Sequence, residues 1–135
     1  MYDYLIEIQP NRDPFLFINK VVECNEEKNS KTIMHLNKDE WFFKCHWEND
    51  PNMPAMLQLE TMSQTASLCL FSKLRPPKKL YLTRIESASF RKKIVPEPII
   101  ASVAFCRRLI NIWCRALSLV VMMLALESNS VNTFI

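Results

Sequence analysis

The 135-residue chain contains no glycine. Average usage is about 7%, so a chain of this length would ordinarily carry roughly nine. Motifs whose backbone must be glycine are therefore excluded: the phosphate-cradling G-x-x-x-x-G-K, the dinucleotide-binding G-x-G-x-x-G and the G-x-S-x-G nucleophile elbow. Turns needing positive φ must fall to Asn, Asp or a strained residue, because only glycine takes those angles freely. The five cysteines are an odd number and contain no C-x-x-C pair. A reduced compartment is the expectation, with most thiols acting as small buried hydrophobes. The N-terminal MYDYLIEIQP has acids where a secretory leader needs lysines, and it lacks a long apolar region. The longest uncharged apolar run, Ala116 to Leu126, is too short for a bilayer and reads as core. These shortages predict a cytoplasmic protein without a membrane span.

What is present suits one globular domain over residues 1–135, with 49% hydrophobic and 23% charged residues. The length is enough to bury a core without staples. The net charge of +3 hides an asymmetry. Residues 1–60 hold six Lys/Arg against eleven Asp/Glu, or −5, and residues 61–135 hold eleven against three, or +8. Lys73–Lys93 alone has eight basic residues and a single acid, Glu86. Such a stretch could face an acidic protein, anionic lipid or nucleic acid, or be a solvated loop and strand edge. It contains no nucleic-acid motif, so no nucleic-acid partner is predicted.

Phe15–Cys24 is apolar and β-branched, NEEKNS (Asn25–Ser30) is a polar turn, and Lys31–Leu36 returns as a second strand. Cys45–Pro54 contains Asn49, Pro51 and Pro54 and reads as irregular. The strongest helix follows it, Ala55–Leu74, preceded by proline and free of breakers. Met56, Leu59, Met62, Ala66 and Leu70 trace one face, and Leu57 and Leu68 widen it, as in a largely buried helix. Later strands are expected at Leu80–Ser87, Ser89–Val95, Ile99–Arg107, Ile110–Ser118 and Leu124–Phe134. A hairpin, one long helix and an antiparallel meander imply an α+β domain, with a sheet wrapped round a helix.

Histidine is the natural group for acid–base work near neutral pH, and there are two. His35 lies between Met34 and Leu36 in a strand, where a structural or surface role is expected. His46 stands in W-F-F-K-C-H-W, just before the proline-rich loop, and fourteen residues before Glu60. Glu60 is the only acid between Asp50 and Glu86 and falls in the middle of the apolar helix. Burial there would raise its carboxyl pKa and keep it protonated. One base and one buried acid suit elimination or hydration chemistry; a glutamate paired to Arg or Lys is the plainer alternative.

Phe42–Gln64, F-F-K-C-H-W-E-N-D-P-N-M-P-A-M-L-Q-L-E-T-M-S-Q, resembles the active-site signature of hot-dog-fold 3-hydroxyacyl-acyl-carrier-protein dehydratases, F-F-x-G-H-F-P-x-x-P-x-M-P-G-x-L-x-x-E-x-x-x-Q. The histidine, the P-x-M-P unit, the leucine, the glutamate and the glutamine align without a gap. Upstream, Pro10–Lys20 (P-N-R-D-P-F-L-F-I-N-K) is similar to the family's P-H-R-x-P-F-L-x-x-D-R. Phe90–Pro96 and the pair Arg107–Arg108 also match, so the resemblance covers most of the chain.

The resemblance implies a hot-dog fold, a long central helix wrapped by a curved antiparallel sheet. It implies that His46 takes the C2 proton of a 3-hydroxyacyl thioester while Glu60 protonates the departing 3-hydroxyl, giving a trans-2-enoyl thioester and water. No metal or cofactor is implied. The Ala55 amide at the helix start would hold the developing enolate oxygen, Pro54 and Met56 beside it would meet substrate, and Gln64 would orient Glu60. In the family the site forms across a dimer, with His and Glu from different subunits, so a homodimer or a trimer of dimers is expected. Lys73–Lys93 then becomes a landing surface for acyl carrier protein. A hot-dog thioesterase and a non-catalytic acyl-thioester binder are the competing functions.

Every glycine of the family pattern is replaced: Cys45, Asn49, Ala55, Glu97, Leu109 and Ser118 stand in its place, and Val121-Met122 falls at the last hairpin turn. Each replacement where φ is positive costs about 1 kcal/mol or more. Natural divergence and deliberate depletion of glycine both fit, and survival of the catalytic residues favours depletion.

Overall fold

The computed structural model describes residues 6–7, 9–25, 29–71, 82, 85, 88–96, 98–104 and 126–128. Strands β1 (Lys20–Asn25) and β2 (Asn29–His35) form an antiparallel hairpin in which Cys24 faces Ser30 and Asn25 faces Asn29. The register shifts between Val21 and Glu23, a β-bulge that bends the strand. Burial alternates along β2, with Ser30, Thr32 and Met34 inside, as a half-buried strand requires. Strand β3 (Pro98–Ala104) lies antiparallel to β2, from Asn29 opposite Ala104 to His35 opposite Pro98. A short β4 (Leu126–Ser128) pairs antiparallel with β3, so the described strands run in the order β1-β2-β3-β4.

Helices α1 (Trp41–His46) and the 17-residue α2 (Ala55–Phe71) accompany the sheet. Pro54 immediately precedes α2, and its carbonyl accepts from the amides of Leu57 (3.0 Å) and Gln58 (3.1 Å). Proline suits this point because it has no N–H to leave unsatisfied and a φ already near helical. The helix packs against β1, β2 and β3. An α+β architecture with an antiparallel sheet is therefore present. Among the described residues, no helix is long and apolar enough to cross a membrane.

Two core clusters lie among the described residues. Phe17, Met34, Leu36, Phe42, Phe43, Met53 and Ile94 form one cluster, against which Leu57 packs. Ile18, Val21 and Leu68 form the other. Between helix and sheet runs a buried polar seam. Thr32 and Thr65 share a hydroxyl–hydroxyl bond of 2.8 Å, Ser30 donates to the Thr65 carbonyl (2.6 Å), and Thr65 donates to the Thr61 carbonyl (2.8 Å). A buried hydroxyl without a partner is costly, and here each has one. Most of the helix is buried, and hydroxyls supply the polar bonds between it and β2.

Several expectations change. Phe15–Asn19 is not strand: β1 begins only at Lys20, just after the Asn19 amide donates to the Ile33 carbonyl (2.9 Å). Cys45 and His46, expected in an irregular segment, close α1 instead, placing adjacent Phe42 and Phe43 in the core. Ser89–Val95 is irregular rather than a strand, because the Ile94 carbonyl accepts from the Met53 amide (2.8 Å) and the segment lies against the Trp47–Pro54 loop. Met56 is exposed (66%) and does not belong to the buried helix face. Cys69 is buried and Cys45 exposed, so only some thiols behave as small hydrophobes. Burial pushes the Cys69 thiol pKa up, which keeps it a poor nucleophile. Leu80, Tyr81, Ile110–Ser118, Leu109, Val121-Met122 and the end of helix Ala55–Leu74 lie outside the described residues, as do Cys106 and Cys114.

Candidate active site

Glu60 sits on α2, half-buried rather than buried. One turn on, Gln64 is 2% exposed and makes three bonds through its amide. Its Oε1 accepts from the Phe17 amide (2.9 Å), and its Nε2 donates to the Phe15 carbonyl (2.9 Å) and to Glu60 Oε1 (2.9 Å). The backbone decides which way this side chain faces, since a peptide N–H must meet the oxygen and a carbonyl must meet the nitrogen. Glu60 Oε1 therefore always meets a donor, and a proton carried by Glu60 sits on Oε2. The upstream motif Pro10–Lys20 acquires a reason here: Phe15 and Phe17 present backbone groups that fix the glutamine.

Gln64→Leu is expected to lower stability by about 2–4 kcal/mol, read as a fall in the urea midpoint, because it strands the Phe17 N–H and the Phe15 carbonyl. An unchanged midpoint would show that water satisfies both groups.

His46 lies at the C-terminus of α1, exposed to solvent, with the Trp47 ring edge-on at 5.9 Å. Its Nδ1 is 3.0 Å from the Asn52 carbonyl. A carbonyl oxygen can only accept, so Nδ1 carries the proton of the neutral ring and Nε2 carries the lone pair. Trp47 leaves the helix in an extended conformation, φ −140° and ψ 117°, and the loop then doubles back to reach the imidazole.

Ala55 is the first residue of α2 and is half-buried, between half-buried Pro54 and exposed Met56. The first amides of a helix have no intrahelical partner and bear its positive dipole end. Helical φ is negative, so the Cβ at position 55 carries no steric cost there. Cys45 is likewise inside a helix, where glycine is not required.

The structure thus joins Glu60 to Gln64, and His46 to the loop that leads into Ala55. Among the described residues, no hydrogen bond or ion pair joins His46 to Glu60 within one chain. His35 is exposed at the end of β2, its amide donating to Asn19 Oδ1 (2.7 Å). Among the described residues no three His, Cys, Asp or Glu side chains converge to hold a metal ion. Of the basic stretch, Arg91, Lys92 and Lys93 are described and exposed, and Lys93 pairs with Asp50 at 2.6 Å. Sequence reasoning missed Asp50 and Asn52 because their roles depend on a loop fold with no local signature.

The family model of the FabA-like domain matches residues 9–124. The chain belongs to the FabA-like family. Similar FabA-like proteins include the 3-hydroxyacyl-acyl-carrier-protein dehydratase FabZ of Wolbachia sp. subsp. Brugia malayi, 36% identical over 96 residues, covering 68% of this chain and 66% of that protein. The dehydratase FabZ of Clostridium botulinum (strain Hall) is 34% identical over 95 residues, 70% of this chain and 66% of that protein. That of Erwinia tasmaniensis is 33% identical over 105 residues, 75% and 70% respectively. The chain spans just under two thirds of the Wolbachia relative's length.

Proposed function

We propose that this FabA-like chain dehydrates 3-hydroxyacyl thioesters carried on acyl carrier protein to trans-2-enoyl thioesters, within fatty acid biosynthesis. The bond from Gln64 to Glu60 carries the reading: it commits one carboxyl oxygen and leaves the other to hold an exchangeable proton. His46 Nε2 takes the C2 proton. The resulting negative charge moves to the thioester oxygen, which the Ala55 amide holds at the helix start. Glu60 Oε2 gives its proton to the 3-hydroxyl, the C3–O bond breaks, and water leaves. Pro54 and exposed Met56 flank that amide and contact the acyl group.

The site is completed in a homodimer or a trimer of dimers, with His46 of one protomer serving Glu60 of the other. Exposed His46, Trp47 and Met56 and the absence of a His46–Glu60 bond within one chain support this arrangement. Residues 1–135 form a single hot-dog domain, α2 being the central helix wrapped by a curved sheet. Exposed Arg91 and Lys92 continue the basic stretch on which acidic carrier protein lands. The reaction is cytoplasmic.

The test is hydration of a crotonyl thioester, followed as loss of enoyl absorbance. Absorbance should fall with the thioester intact. Release of free thiol would favour the thioesterase, and binding without turnover by a folded oligomer would leave an acyl-thioester binder.

A further inference from the structure

The loop between His46 and α2 is fastened by side chains at positions the dehydratase pattern leaves open. Asn52 Nδ2 donates to the Asp50 carbonyl (2.8 Å), closing the turn that carries the Asn52 carbonyl back toward His46. Asp50 Oδ2 pairs with Lys93 Nζ (2.6 Å), and the neighbouring Ile94 carbonyl accepts from the Met53 amide (2.8 Å). On the other side, buried Gln58 donates from Nε2 to the Met53 carbonyl (2.9 Å). Asp50 and Met53, on either side of Pro51-Asn52, are thus both tied to the 93–94 segment, and Ile94 is anchored in the core.

We propose that Asn52, with the Asp50–Lys93 pair, is a positioning device for His46. It holds the Asn52 carbonyl on Nδ1, and so keeps the lone pair on Nε2, where the dehydratase reading needs it. The proposal deepens that reading and rests on it for the catalytic consequence. The imidazole itself is exposed, and among the described residues Trp47 is its one aromatic neighbour, so little else on its own helix sets the tautomer. The loop contains no glycine, and these bonds fasten its shape. Because the ion pair is exposed, its share is small beside that of the Asn52 amide.

The experiment measures the full chain in two ways: the protonation site of His46 by long-range ¹H–¹⁵N correlation, and hydration of a crotonyl thioester. In the unchanged protein neutral His46 should be the Nδ1–H form. Asn52→Ala should shift it toward Nε2–H and lower kcat about ten-fold, with KM within about two-fold, as expected when a reacting group is misplaced but present. Asp50→Lys or Lys93→Asp alone should weaken the Nδ1–H signature and lower kcat by about two- to three-fold, and the double reversal should restore both. If Asn52→Ala fails to fold, the reversal pair carries the test. An unchanged His46 spectrum in Asn52→Ala, or a double reversal that restores nothing, overturns the proposal. If the unchanged protein does not turn over substrate but the spectra shift as stated, positioning stands and the dehydratase reading falls.

Discussion

His46→Ala is expected to slow crotonyl-thioester hydration by roughly 10²–10⁴-fold, the usual contribution of a placed general base. The side chain is exposed and, among the described residues, its one polar contact is with a loop carbonyl, so its removal leaves the core intact. Phe42 and Phe43, which anchor α1, keep their packing. The fall should therefore appear in kcat with little change in melting temperature. His46→Gln should do no better, because an amide nitrogen carries no basic lone pair. A variant that retained the parent rate would move the base elsewhere, and half-buried Asp50 in the same loop would be the first residue to examine.

Glu60→Gln should lower kcat by about 10²–10³-fold while leaving binding almost unchanged. The substitution is isosteric, and the new amide oxygen can still accept from Gln64 Nε2, so the Phe15–Gln64–Phe17 bracket survives. What is lost is the proton that leaves with the 3-hydroxyl. KM should stay within about two-fold, the behaviour of a group whose interaction matters only in the transition state. Glu60→Asp is a useful companion: it keeps a carboxyl but draws it back by a methylene. Partial activity there and near-total loss in Glu60→Gln would separate proton donation from mere polarity. Equal activity for Glu60→Gln and the parent would exclude Glu60 as the acid.

The bracket around Glu60 also shows how chain-distant motifs become one device. Pro10–Lys20 and the α2 glutamine are separated by more than forty residues, and each reads in the sequence as a separate similarity. The structure unites them through backbone groups at Phe15 and Phe17, which no side-chain pattern can reveal. Helix α1 was illegible for a related reason. Six residues are too few for periodicity to declare itself, and W-F-F is as suited to a strand as to a helix. The tertiary core selects the helix by burying both phenylalanines.

The missing glycines change meaning at two positions. A dehydratase pattern with Ala55 and Cys45 in place of glycine suggests strain, yet both residues sit inside helices, where φ is negative and a Cβ is tolerated. Asn49, in an exposed turn, is of a type that tolerates left-handed backbone. Glu97, Leu109 and Ser118 lie outside the described residues.

By itself the sequence determined the long helix that follows a proline, the hairpin, the antiparallel α+β class and the positions that match the dehydratase pattern. Those properties are written locally, in periodicity, breakers and motif spacing. Only the tertiary structure decided that Gln64 faces Glu60 with its amide nitrogen, that Asn52 holds the Nδ1 side of His46, and that Ser89–Val95 lies on the loop instead of in the sheet. Each of those depends on which backbone N–H or carbonyl arrives from a distant segment. A hydrogen bond of this kind is chosen by the meeting of two strands of chain, and neither strand encodes it alone.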